Sequence, residues 1–150
     1  CAALGLDQAA ATANSFLVSA DNAHAVHPNH PEYHDATHRP AMNAGVVIKH
    51  GVRYATDGVS QAVFTALCQK AGVPVQHFAN RSDLPGGGTL GLISTSHVSV
   101  NTVDVGLAQL AMHSCYETAG TKDTDYLVQA MTAFYAASFR EEDGRFTLSN

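Results

Sequence analysis

Charge is what this sequence has least of. Asp, Glu, Lys and Arg make up 14% of its 150 residues, against roughly 25% in an ordinary soluble domain, while hydrophobic residues make up 45%. So few charges predict that part of the surface is buried against something else, or that the chain is a piece of a longer polypeptide. Cys1 in place of an initiating Met favours a start inside a longer protein. Basic residues are scarcer still. With 8 Lys plus Arg against 13 Asp plus Glu and a net charge of -5, the chain lacks the basic footprint that nucleic-acid binding requires. Long apolar runs are missing too: the uncharged stretch 84–103 holds four glycines, so it is not the roughly 20 apolar residues of a bilayer span. No charged start followed by an apolar stretch marks a signal peptide. Three cysteines, Cys1, Cys68 and Cys115, are odd in number and widely spaced, which excludes a disulfide framework and a CxxC zinc site. A soluble chain in a reducing cytoplasm is expected.

At 150 residues a single domain with a sizeable core is expected, since domains run to roughly 100–200 residues. Ser15 to Ala20 is short and apolar, as in a buried strand, and Asp21 closes it. From His24 to Pro40 come three prolines and five histidines without hydrophobic period, which predicts a long irregular loop. Gly45–Lys49 and Val52–Thr56 resemble the arms of a tight hairpin turning at His50 and Gly51. Asp57 is an N-cap for a helix whose stripe is Val63, Phe64, Leu67, Cys68 and Ala71; Gly72 and Pro74 stop it. Val75 to Phe78 is the next strand, then a turn over Arg81 to Gly88, a short helix towards His97 and a strand over Thr102 to Gly106. Asp123 or Thr124 caps a last helix that buries Leu127, Ala130, Met131 and Phe134, and the tail from Arg140 is polar and frayed. Strands alternating with helices give an α/β layered fold, with functional groups on loops beyond the strand ends.

The densest chemical signal is Asp21 with His24, His27, His30, His34 and His38, carboxylate and imidazole being ligands for borderline-soft divalent metals. Pro28 and Pro31 preclude the helical spacing of an HExxH site, and a surface loop rich in histidine is the structural alternative. Asp21 could equally cap a turn. Gly86, Gly88 and Gly91 satisfy G-x-G-x-x-G, but no acid follows about 20 positions later; Asp104 comes too early. The glycines better suit close backbone approach. His113 could be a satisfied structural group, Lys49 a solvated strand end or an anchor for a carboxylate. Cys68 and Cys115 are expected in the core.

The segment Ser19-Ala20-Asp21-Asn22-Ala23-His24-Ala25-Val26-His27-Pro28-Asn29 resembles the aspartyl aminopeptidase family, the M18 zinc aminopeptidases. Gly45-Val46-Val47-Ile48-Lys49, Arg53-Tyr54-Ala55, Arg81-Ser82-Asp83, Gly87 with Thr89-Leu90-Gly91, Val103-Asp104-Val105-Gly106 and Ala111-Met112-His113-Ser114 recur in the family's order. The likeness runs from about Phe16 to Phe139. It implies a three-layer α/β/α sandwich of the zinc-peptidase type, with residues 1–150 as the C-terminal portion of the catalytic domain. It also implies that Asp21 and His113 are ligands on the two different metals of a dinuclear zinc centre, and that His24, Lys49 and Tyr54 contact a peptide substrate. The implied chemistry is attack of a metal-held water on the first peptide carbonyl, in a cytosolic homo-oligomer, a dodecamer in the family. The remaining ligands and the general-base Glu would come from a missing N-terminal half, so no catalytic residue is assigned here; Glu141 and Glu142 lie in the polar tail. The shorter segment between Lys49 and Tyr54, Cys115-Tyr116 before Glu117, and Gly86 and Gly88 depart from the family pattern and bear on acidic-residue preference, which Lys49 supports. Two rivals from other classes are a non-catalytic metal-binding or assembly module with the same fold, and a nucleotide-binding module.

Overall fold

The computed structural model describes residues 2–142 and 145–149. Its elements in chain order are α1 (Gln8–Ala13), β1 (Phe16–Ala20), β2 (Ala23–His24), β3 (Val46–His50), α2 (Gly58–Lys70), β4 (Val75–Ala79), α3 (Leu90–His97), β5 (Asn101–Gly106), β6 (Ala108–Leu110), β7 (Thr118–Ala119), α4 (Thr121–Ala136), β8 (Ser138–Glu142) and β9 (Arg145–Ser149). The main sheet runs β1-β5-β3-β4. β1 is parallel to β5 and β3 to β4, while β3 and β5 are antiparallel. A smaller sheet, β2-β6-β7, continues beyond the ends of β1 and β5.

Alternation along the strands decides what each face meets. Val46 and Ile48 of β3, with Val103 and Val105 of β5, face α2 and α4, where they pack with Phe64, Cys68 and Ala130. The next residues in line, Asp104 above all, face α3 on the other side, where Gly91 sits against the Asp104 carboxylate. Helix, sheet and helix therefore form the three layers expected of an α/β/α sandwich. Asp57 caps α2 as expected, its carboxylate accepting from Ser60 N at 2.7 Å, with Ser60 Oγ accepting from Asp57 N in return. This is a reciprocal cap.

Three expectations are corrected. Val52–Thr56 is a turn and an irregular segment, not a strand: β3 ends at His50, Gly51 takes a φ of 147°, and Val52 stands 97% exposed. Neither Asp123 nor Thr124 caps α4. Gly120 occupies that position, and Asp123 is fully buried, accepting from Asn43 N at 2.6 Å and Gly45 N at 3.0 Å. The tail is a hairpin, β8 with β9, anchored by Phe139 stacked on Phe16 at 5.3 Å.

The sheet's two outer strands differ. Along β4, an isolated bridge joins His34 to Asn80, and Gln76 exchanges bonds with Ala41, accepting from its N at 2.8 Å and donating to its O at 2.9 Å. The outer edge of β1 has no strand partner among the described residues.

Candidate functional site

A cavity of about 450 Å³ opens beyond the ends of β1 and β3, and its lining includes Asp21, His24, Lys49, Tyr54 and His113. Five residues drawn from positions 21 to 113 thus share one space. Asp21 leaves β1 directly, its N donating to Val105 O at 2.9 Å. Gly106 lies against this crossing: a Cβ there would fall 1.9 Å from Asp21 O, so only glycine fits. His24 stands on β2, its ring 6.4 Å from that of Phe78. His113 follows β6 in a turn where both Ala111 and His113 have left-handed φ, 55° and 70°. The Glu117 carboxylate accepts from the His113 N and helps fix that turn.

Lys49 points away from the apolar face, because it follows Ile48 in the strand. Its side chain is 3% exposed, and Nζ donates to Asp21 Oδ2 at 3.3 Å; the Asp21 side chain is 54% exposed. Nζ also stands 5.6 Å from the centre of the Tyr54 ring, a favourable cation–π distance. Burial pushes the Lys49 ammonium below the ordinary lysine range, opposed by the charges of Asp21 and Asp104. Tyr54 is braced edge-on against Phe78 at 6.3 Å. Burial raises its phenol, despite a hydrogen bond with Asn80, so it remains a protonated donor at neutral pH. Burial first, then the nearby His34, Lys49 and His113, hold the His24 imidazole below 6.5.

The histidine-rich loop divides. His27, His30 and His34 line the cavity, whereas His38 turns elsewhere, bonding Asp35 Oδ1 through Nδ1 at 2.9 Å and meeting the His77 ring at 6.5 Å. Gly87 and Gly88 form part of the wall, and Gly86 leaves room for the Asn80 side chain, which an added Cβ would meet at 2.1 Å. Cys68 is buried as expected, its thiol pushed up to about 12 by desolvation. Cys115 is exposed, not core: it lies in the turn after His113.

Sequence reasoning passed over Asp104, Asn22 and Gln109. Asn22 Nδ2 donates to Gln109 Oε1 at the cavity wall, and the buried Asp104 sits behind it. An acid flanked by Val103 and Val105 in an otherwise apolar strand is a visible signal for the latter. Among the described residues, no group of three or more His, Cys, Asp or Glu is arranged to hold a metal. Asp21 and His113 are suitable donors, a carboxylate and an imidazole reaching one cavity, but two donors are fewer than the three or four protein ligands of a zinc site.

A family model described as Aminopeptidase I zinc metalloprotease (M18) matches residues 3–135. The probable M18 family aminopeptidase 2 of Pseudomonas paraeruginosa is 53% identical over 126 residues, which are 83% of this chain and 29% of that protein. The chain thus spans under a third of that relative's length. The crystal structure of prApe1 superposes with a TM-score of 0.84 at 34% identity, over 87% of this chain and 28% of that one. The Saccharomyces cerevisiae mApe1 dodecamer gives a TM-score of 0.77 at 34% identity, over 87% and 29%.

Proposed function

This chain belongs to the M18 family of aminopeptidase I zinc metalloproteases, and from that premise we propose that residues 1–150 are the C-terminal portion of the catalytic domain of a cytoplasmic metalloaminopeptidase. Its substrates are peptides with an acidic N-terminal residue. The observation that supports this is the convergence of Asp21, His24, Lys49, Tyr54 and His113 on one cavity.

In this proposal Asp21 and His113 each ligate one ion of a dinuclear zinc pair, the other ligands and the general base coming from the part of the relatives' length that this chain does not span. Bound zinc supplies Lewis acidity, activating a water and polarising the first peptide carbonyl. The chain's own contribution is recognition. A buried ammonium whose ion-pair partner among the described residues is half-exposed is poised to meet a second carboxylate, and Lys49 binds the acidic side chain of the substrate's first residue. Tyr54 donates its phenolic proton to the same group and holds Lys49 against its ring. His24, neutral at pH 7, offers one donor and one acceptor to the peptide backbone. The assembly is a homo-oligomer, a dodecamer as in the mApe1 structure; the low charged fraction of 14% suits a surface covered by neighbouring subunits.

The test is hydrolysis of peptides with N-terminal Glu, Asp or Leu by the full-length polypeptide carrying this chain, with native mass spectrometry of the same sample. The expected result is zinc-dependent release of Glu and Asp from an oligomer, abolished in Asp21→Ala with assembly intact. Assembly without hydrolysis in the parent protein would favour the non-catalytic module.

A further inference from the structure

Asp104 is a buried acid to which the proposed recognition scheme gives no role. It stands in β5 between Val103 and Val105 and is fully shielded from solvent. A carboxylate taken out of water is costly unless its oxygens are bonded. Both are: Oδ2 accepts from Ala55 N at 2.6 Å and Oδ1 accepts from Thr89 Oγ1 at 2.6 Å. The Asp104 N in turn donates to Thr56 Oγ1 at 2.9 Å.

These bonds tie a rigid central strand to two irregular segments that form the cavity. Ala55 and Thr56 directly follow Tyr54, and Thr89 closes the glycine turn containing Gly87 and Gly88; both Tyr54 and Thr89 line the cavity. Segment 51–57 has no strand pairing to hold it, so its bonds to Asp104 act with the Tyr54 N to Gly51 O bond at 3.1 Å and the Phe78 ring to fix where Tyr54 stands. Tyr54 carries that placement to Lys49 through its ring. The neighbouring helix makes room for the anchor, since a Cβ on Gly91 would come within 2.5 Å of Asp104 Oδ1.

On the basis of the aminopeptidase assignment, we propose that Asp104 is a positioning residue for selectivity: through Ala55 and Thr56 it sets the Tyr54–Lys49 pair that reads an acidic N-terminal residue. Asp104 touches no substrate. Its loss loosens the acidic-residue contact and leaves the reacting carbonyl where it was, so the effect falls on KM for acidic substrates and not on kcat.

The experiment uses the full-length, zinc-loaded protein and two peptides differing only in an N-terminal Glu or Leu. For Asp104→Ala, which removes both acceptor oxygens, KM for the Glu peptide should rise about tenfold, with kcat within about twofold and both constants for the Leu peptide unchanged. Thr56→Val, which removes the bond to the Asp104 N, should move the Glu/Leu ratio the same way by less. An unmoved ratio, or equal losses on both peptides, overturns the proposal. If Asp104→Ala does not fold, the Glu/Leu ratio in Thr56→Val and Thr89→Val decides, and an unmoved ratio in both overturns it. A parent protein that cleaves neither peptide sinks the aminopeptidase assignment and this inference with it; an active parent with unmoved variant ratios sinks this inference alone.

Discussion

The two faces of the main sheet are built from the same strands and do opposite things. On the α2 and α4 side, Val46, Ile48, Val103 and Val105 meet Phe64 and Cys68 in an apolar cluster, and the buried Ser60 and Asp123 keep to the first turns of the two helices, bonded to backbone there. On the other side, one residue further along the same strands, Lys49 and Asp104 are buried at 2% and 0% exposure, each held by named partners. One face makes the fold stable. The other spends part of that stability holding charges where water cannot reach them. A one-residue slip in register would exchange the two faces, so the apolar pattern that fixes the core also aims the site.

Breaking this division has its largest effect where the two faces share backbone. Gly106→Ala puts a Cβ 1.9 Å from Asp21 O, a main-chain collision that no rotamer change relieves. No folded protein is expected, and a cooperative thermal transition in this variant would show that the crossing can move aside. Phe64→Ala, on the apolar face at 1% exposure, should cost about 3–5 kcal/mol, measured by urea unfolding. Ligand affinity of the surviving folded fraction should be unchanged. Lys49→Met tests the other face. Met replaces a buried ammonium by an apolar side chain of similar length, and Asp21 remains half in water, so stability should hold or rise, while discrimination of N-terminal Glu over Leu should vanish; retained discrimination would move the acidic-residue contact elsewhere.

The smallest effect is at the end of the apolar face, where His50 Nε2 and His77 Nδ1 lie 3.0 Å apart. Burial, then neighbouring imidazoles, hold both below 6.5. An imidazole depressed in the folded state binds fewer protons there than in the unfolded chain, so stability rises with pH. The contribution is complete above 6.5 and is lost as pH falls below it through the folded-state values. Urea midpoints at about pH 7.5 and about pH 5.5 should differ less in His50→Gln than in the parent. Equal differences would assign the slope to other groups.

Much of the framework was legible because it depends on neighbours in sequence. Asp57 capped its helix, the stripe Phe64, Leu67 and Cys68 faced inward, and the strands ending at Ala20 and Gly106 fell where apolar runs ended. Val52–Thr56 looked like a strand because its local pattern is extended; besides the local bond from Tyr54 N to Gly51 O, it is held by bonds with position 104, which no window around position 55 contains. Asp123 looked like a cap for the same reason, and its true partners, Asn43 and Gly45, are about 80 residues away in sequence. The candidate residues came through family likeness, not spacing. Nothing within the loop His24 to Pro40 tells that His34 turns to the cavity while His38 joins His77.

The two edges of the main sheet are unequally covered. Just past β4, Asn80 is bridged by His34, and the Gln76 side chain holds the backbone of Ala41 alongside the strand. At β1, the short apolar sequence Phe16–Ala20 ends the sheet with its outer ladder unclaimed among the described residues. An exposed ladder of that kind templates a further strand, and the edge at β1 has no flanking segment bonded to it as Ala41 is to Gln76. Copies of this chain held alone at high concentration should therefore pair edge to edge through Phe16–Ala20, a contact that closes on itself as a two-fold dimer and that a Pro in place of Val18, whose N–H faces away from β5, would block.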